Sequence, residues 1–176
     1  LNVSGAALFV NCFANCSSAT LINVSGWSPK PTDMTQLFYR CESVSSLDIS
    51  GFDGTQNKSL NSTFHGCSTL TDIKYGNKWT TSSVESFTCT FFGTAFKKLD
   101  VSNWSTSSGY IFSGTFGGMK NLQELDMESW TNTGCGGNTE WWNSSAFIGD
   151  NNLRIVSCGT GWSWTLTNCS LPAIIP

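Results

Sequence analysis

The chain has 176 residues, enough for one domain and few for two. Charged residues make up 12% against 39% apolar, and the missing charge is replaced by 26 Ser and 20 Thr, beside 15 Asn and 17 Gly. A net charge of −3 argues against a nucleic-acid footprint, 13% aromatics argue against disorder, and no run of apolar residues is long enough for a transmembrane helix.

In chain order, the first element is Leu1-Asn2-Val3-Ser4-Gly5, where apolar and polar residues alternate before a turn pair. That period of two predicts a β-strand with one face inward. The next element, Phe13-x-x-Cys16-x-x-Ala19, has a different spacing and leads into a second strand motif, Ile22-Asn23-Val24-Ser25-Gly26-Trp27. The same pair of elements then recurs. Phe38-x-x-Cys41-x-x-Val44 precedes Leu47-Asp48-Ile49-Ser50-Gly51-Phe52, and Phe64-x-x-Cys67-x-x-Leu70 precedes a degenerate strand, Ile73-Lys74-Tyr75 with Trp79. A copy from Phe91 to Phe96, one residue short, precedes Leu99-Asp100-Val101-Ser102-Asn103-Trp104. Phe116-x-x-Met119-x-x-Leu122 precedes Leu125-Asp126-Met127-Glu128-Ser129-Trp130. After an insertion near residues 133–142, Phe147-x-x-Asp150-x-x-Leu153 leads to Val156-Ser157-Cys158 with Trp162, and a tail follows over residues 165–176.

The strand motifs start near 1, 22, 47, 73, 99, 125 and 156, so the central period is 25 to 26 residues. A fixed period of this size is the signature of a stacked repeat, because one unit cannot bury its own apolar face. Between the strands, Met34, Leu37 and Phe38 stand at i, i+3, i+4, as do Leu60, Thr63 and Phe64, and Phe112, Thr115 and Phe116. This predicts a short helix, with Thr32, Asp33, Ser82 and Ser107 placed to cap it. The expected fold is an α/β repeat over residues 1–176. It is a single solenoid of about six to seven coils, with one parallel sheet on one side and short helices or turns on the other. Trp27, Phe52, Trp79, Trp104 and Trp130 should form one internal aromatic column and the Phe residues another.

The repeat resembles the BspA-type leucine-rich-repeat surface proteins, whose unit runs approximately L-D-h-S-x-W-x-T-S-x-V-x-x-M-x-x-M-F-x-G-C-x-x-L. Trp79, Thr81, Ser82, Val84, Phe87, Thr90, Phe91 and Gly93 follow that line, as do Phe64-His65-Gly66-Cys67 and Leu70. The resemblance covers nearly the whole chain apart from residues 133–143 and the part after Trp164. It implies a secreted or cell-surface protein of adhesion and interaction whose motifs are not catalytic.

Eight Cys, a Ser/Thr/Asn/Gly-rich surface and eight N-x-S/T sequons point to an extracellular location. The sequons are Asn2, Asn15, Asn23, Asn57, Asn61, Asn103, Asn143 and Asn168, against roughly four expected by chance. The chain begins at Leu1, which fits either a removed leader or a piece of a longer protein.

Few residues invite chemistry. Cys16, Cys41 and Cys67 share one repeat position, where disulfides or a metal are conceivable, but the position also holds Met119 and Asp150, so a small buried hydrophobe fits better. Cys158 and Cys169 are a candidate C-terminal disulfide. The outward column Asn23, Asp48, Lys74, Asp100, Asp126 reads as a solvated ladder in which Lys74 neutralises both acidic neighbours, with a ligand-binding surface as the other reading. Trp141 and Trp142, in the Gly-rich insertion, are either a sugar- or partner-binding tip or replacements for an apolar core residue. His65 is the only His, which provisions a catalytic triad poorly. No cofactor or metal is expected, and the chain is read as no enzyme. Its expected partners are other copies of itself, other surface proteins or glycans.

Overall fold

In a computed structural model, described for residues 3, 6–131 and 146–158, strands are short and all pairing is parallel. β1 (Ser46–Asp48) pairs with β2 (Asp72–Lys74); β3 (Lys98–Asp100), β4 (Glu124–Met127) and β5 (Ile155–Cys158) form a second sheet in that order. Leu47 lies opposite Ile73, Leu99 opposite Leu125, and Leu125 opposite Val156, so the first apolar residue of each motif faces its counterpart in the next. These residues are buried while Asp72, Lys74, Lys98 and Asp100 are exposed, as the period of two requires. The copy around Ile22 forms no assigned strand, yet it keeps the alternation: Ile22 and Val24 are buried, Leu21 and Asn23 exposed.

Two aromatic columns fill the interior. Phe13, Phe38, Phe64, Phe91, Phe116 and Phe147 stack in succession with centroids 5.6, 5.9, 5.5, 6.0 and 5.5 Å apart. Their planes lie 3°, 6°, 19°, 4° and 17° from parallel, the offset-stacked geometry that the ring quadrupole favours. Trp79, Trp104 and Trp130 follow one another at 5.7 and 6.5 Å. Each buried ring removes on the order of 150–250 Å² from water, which supplies the cohesion that so few charges cannot.

Two expectations are corrected. The i, i+3, i+4 segments are not helices: among the described residues no α-helix occurs, and the only helical element is a 3-10 turn at Gly54–Gln56. The backbone N–H groups here are spent between repeats. Met34, Gln36, Phe38 and Arg40 donate to the carbonyls of Ser59, Asn61, Thr63 and His65; Phe87, Cys89, Phe91 and Gly93 donate to Ile111, Ser113, Thr115 and Gly117. An α-helix would need those same donors for its own i−4 carbonyls. Intervening i−3 bonds, such as Leu37 to Met34 and Cys41 to Phe38, tighten the chain into turns, and that spacing imitates a helical face.

Two positions of each turn segment have positive φ. One holds Asn11, Gln36, Ser62, Cys89 and Gly114; the other holds Asn15, Arg40, Gly66, Gly93, Gly118 and Gly149. The glycine that follows the Phe in several copies thus answers a left-handed backbone.

The second correction concerns the sheet, which is interrupted between β2 and β3. Tyr75 occupies the strand position that holds Val24, Ile49, Val101 and Met127 elsewhere, and its ring packs on Trp79 and Trp104 at 5.3 and 5.6 Å. The interruption falls where a ring stands in place of an aliphatic side chain and beside the one copy that is a residue short. Trp130 donates its indole N–H to Val101 O, one repeat back, at 2.9 Å, whereas the indole nitrogens of Trp79 and Trp104 and the Tyr75 hydroxyl are buried without partners.

Candidate functional site

The outward strand column is held by local bonds. Asp48 Oδ1 accepts from the Ser50 N–H at 3.0 Å and the Ser50 hydroxyl at 2.5 Å. Asp100 does the same with Ser102 at 2.9 and 2.6 Å, and Asn23 with Ser25 at 3.2 and 2.8 Å. Asp126 accepts from the Glu128 N–H at 3.1 Å. The D-x-S pattern is therefore an Asx turn that ends β1 and β3, a role missed when these residues are read only as an outward charge ladder. Two hydrogen bonds from Ser50 and then Lys74 hold the Asp48 carboxyl down at about 2.

Lys74 pairs with Asp48 at 3.0 Å, but no ion pair to Asp100 is formed, because the sheet is interrupted on that side. The expectation that Lys74 neutralises both neighbours is corrected accordingly. The next outward column does bridge a step of the second sheet, Lys98 to Glu124 at 2.7 Å. Another surface column links Lys58 to Glu85 at 3.1 Å, with the Tyr110 hydroxyl 3.5 Å from the same carboxylate. Exposed pairs of this kind contribute little to stability.

Cys41 and Cys67 are fully buried free thiols, and Cys16 is half-buried. Their bonding follows the repeat: Cys41 Sγ donates to Phe13 O and Cys67 Sγ to Phe38 O, each at 3.1 Å and each into the preceding repeat. Among the described residues no group of three or more His, Cys, Asp or Glu is arranged to hold a metal ion. Thr63, Thr90 and Thr115, one position before the stacked Phe, send buried hydroxyls to Met34 O, Leu60 O and Phe87 O of the preceding repeat. Sequence spacing counted Thr63 and Thr115 as part of an apolar face; the structure shows why a hydroxyl is tolerated there, since each finds a buried acceptor.

His65 lies between Tyr39 and Phe92, with ring centroids 5.1 and 4.8 Å away, and its Nδ1 is buried without a partner. Burial, then Arg40, holds its pKa below the usual imidazole value. Its two ring neighbours are both aromatic.

Of the sequons, Asn15, Asn23 and Asn103 are exposed and Asn61 is half-buried. Asn57 is corrected as a glycan candidate: it is 1% exposed, leaving no room for a sugar on the folded chain. Asn2, Asn143 and Asn168 lie outside the described residues, as do Trp141, Trp142 and Cys169, the proposed partner of Cys158. No helix of the described residues is long and apolar enough to cross a membrane.

One end of the turn-side ladder is distinctive. Phe9, Asn11, Phe13 and Asn15 donate their N–H groups to Asp33, Thr35, Leu37 and Tyr39, and every later repeat donates in the same direction. The carbonyls of Leu8, Val10, Cys12 and Ala14 are therefore acceptors that receive nothing in the structure. Leu8 is 69% and Val10 40% exposed, where Asp33 and Thr35 stand one repeat later.

A family model described as "Mycoplasma protein of unknown function, DUF285" matches residues 7–130. No curated protein and no solved structure matches the chain. With more than two thirds of its length matched, this repeat protein belongs to the DUF285 family.

Proposed function

We propose that the chain is a non-enzymatic repeat scaffold that works at the cell surface or outside the cell, through contacts with other macromolecules and with its own kind. Its repeats wind as a single leucine-rich-repeat-like solenoid of the BspA type, about six to seven coils long, with exposed sequons carrying N-glycans. The register of like residues at a period of 25 to 26, together with the stacked Phe column, supports that reading.

The observation that carries the interaction role is the one-way hydrogen-bond ladder. The N–H groups of Phe9, Asn11, Phe13 and Asn15 and of their later counterparts donate to the next repeat, so the carbonyls of Leu8, Val10, Cys12 and Ala14 are left open beside the exposed side chains of Leu8 and Val10. Open carbonyls at this edge match the N–H groups that every later repeat presents to its neighbour, so a segment of the same build would dock there head to tail. Sedimentation velocity over rising concentration tests this. Growing species that vanish on replacing Leu8 and Val10 with Lys support it, and a stable monomer at every concentration overturns it.

The alternative is an adhesin or lectin-like module that binds a glycan or host protein through Trp141, Trp142 and the outward sheet face. The outward Asp48, Asp100 and Asp126 already spend one carboxylate oxygen on their own turns, which weakens that face as a ligand site. Glycan binding lost on changing both Trp to Ala, with folding intact, would restore this reading.

A further inference from the structure

The column that holds Cys16, Cys41 and Cys67 continues through Thr94 and Met119 to Asp150. At three earlier rungs a hydrogen of the side chain meets a Phe carbonyl: Cys41 to Phe13 and Cys67 to Phe38 in the preceding repeat, and Thr94 to Phe91 in its own at 2.9 Å. Asp150 breaks this order. Its Oδ1 accepts from the Met119 N–H at 2.7 Å, and its Oδ2 is buried without a partner.

The matching carbonyl is vacant as well. Phe13, Phe38, Phe64, Phe91 and Phe147 each accept the N–H three residues on, whereas Met119 has turned its N–H to Asp150, so Phe116 O receives nothing. Phe116 is fully buried. The thiols reach back 28 and 29 residues to their carbonyls, and 34 separate Phe116 from Asp150, which is the same reach lengthened by the five-residue insertion. Two buried oxygens without hydrogens thus share one rung, an arrangement that costs free energy until a proton lies between them.

We propose that Asp150 is a proton-operated latch: when protonated, its Oδ2–H donates to Phe116 O and docks the repeat from Phe147 to Leu153 onto the one before it, and loss of the proton loosens that repeat. Burial pushes the carboxyl up to about 7, offset in part by the Met119 N–H, so the latch changes state near neutral pH. No ion pair reaches Asp150 from its own segment or from the repeat beneath. The nearest charged residues in sequence are Arg154 on its own segment and Lys120 beside Met119, and the Lys120 carbonyl is taken by Asn152 at 2.6 Å. Because the native carboxyl holds its proton to higher pH than an unfolded one, stability is full in acid, falls as pH rises towards the native value, and is level above it. His65 acts in the opposite sense, since its lowered pKa makes acid unfavourable, and it cannot supply a gain on the acid side.

The test is thermal melting from about pH 5 to about pH 8.5 for the wild type and Asp150→Asn, whose amide presents a fixed donor to Phe116 O and a carbonyl to Met119. The wild type should lose several degrees across that range, while the Asn variant keeps the acid melting temperature throughout. A variant that retains the wild-type slope overturns the latch. The carboxyl carbon of Asp150, followed by NMR in the unaltered protein, should titrate near neutrality; a midpoint in the ordinary carboxylate range also overturns it. Hydrogen exchange at Gly149 to Leu153, corrected for the intrinsic rate, should quicken on the alkaline side in the wild type alone.

Discussion

The indole of Trp130 is bonded to Val101 O one repeat back, at 2.9 Å, while the equivalent indole of Trp104 has no acceptor. Both rings are buried, so the two differ in one hydrogen bond more than in packing. Trp130→Phe should therefore cost about 1 kcal/mol more than Trp104→Phe, the usual net worth of a neutral hydrogen bond. Urea unfolding of the two variants checks this, and equal losses would contradict it.

Position within the Phe column sets the cost of removing a ring. Phe64 is fully buried between Phe38 and Phe91, whereas Phe13, at the first described rung, is only partly buried. Phe64→Ala should cost about 3–5 kcal/mol, the range for a buried ring whose cavity cannot collapse. Phe13→Ala should cost clearly less, measured by the shift in denaturation midpoint.

Two glycines at different places in the repeat should respond differently. Gly93 needs φ near 71° but has only the backbone of Gly66 at 3.9 Å in front of an added methyl group. Gly93→Ala should cost about 1 kcal/mol, the left-handed strain alone. At Gly76 an added Cβ would run into the Ser50 carbonyl, so Gly76→Ala must move backbone and should lower the melting temperature much further.

Asp48 links the surface to acid stability. Its pKa lies below that of an unfolded Asp, so the stability it contributes is present above the unfolded value and is lost as pH falls towards about 2. Asp48→Asn should keep the turn, as Asn23 does, and lose this part of the acid dependence; Asp48→Ala should lose both. Unfolding midpoints between about pH 2 and pH 5 separate the three proteins.

Sugar attachment offers a check on burial. In a host that glycosylates N-x-S/T, peptide mapping should find glycans at exposed Asn15, Asn23 or Asn103 and none at Asn57. A modified Asn57 in folded protein would contradict the packing around it.

Much of the architecture was legible because identical spacing forces identical neighbours. The alternation in Leu47-Asp48-Ile49 and the recurrence of Phe38, Phe64, Phe91 and Phe116 carry the register and the ring column in spacing alone. The helical reading of Met34, Leu37 and Phe38 failed for a definite reason. Periodicity reports which side chains face inward, but it is blind to where the backbone donors go, and here they go to the next repeat. The outward acids misled in the same way, since charge draws attention to ligands while the Ser two residues on makes Asp48 and Asp100 turn formers.

The amino-acid sequence by itself determined the period, the inward and outward faces and the stacked Phe column, because these depend on spacing along one chain; of the expected Trp27–Trp130 column only Trp79, Trp104 and Trp130 follow one another, with Phe9 packed between Trp27 and Phe52. Only the tertiary structure decided that the turn segments carry left-handed residues, that the sheet breaks beside Tyr75, and that Asp150 and Phe116 leave two buried oxygens on one rung. Those outcomes depend on which donor meets which acceptor across repeats, and spacing along one chain does not specify those partners.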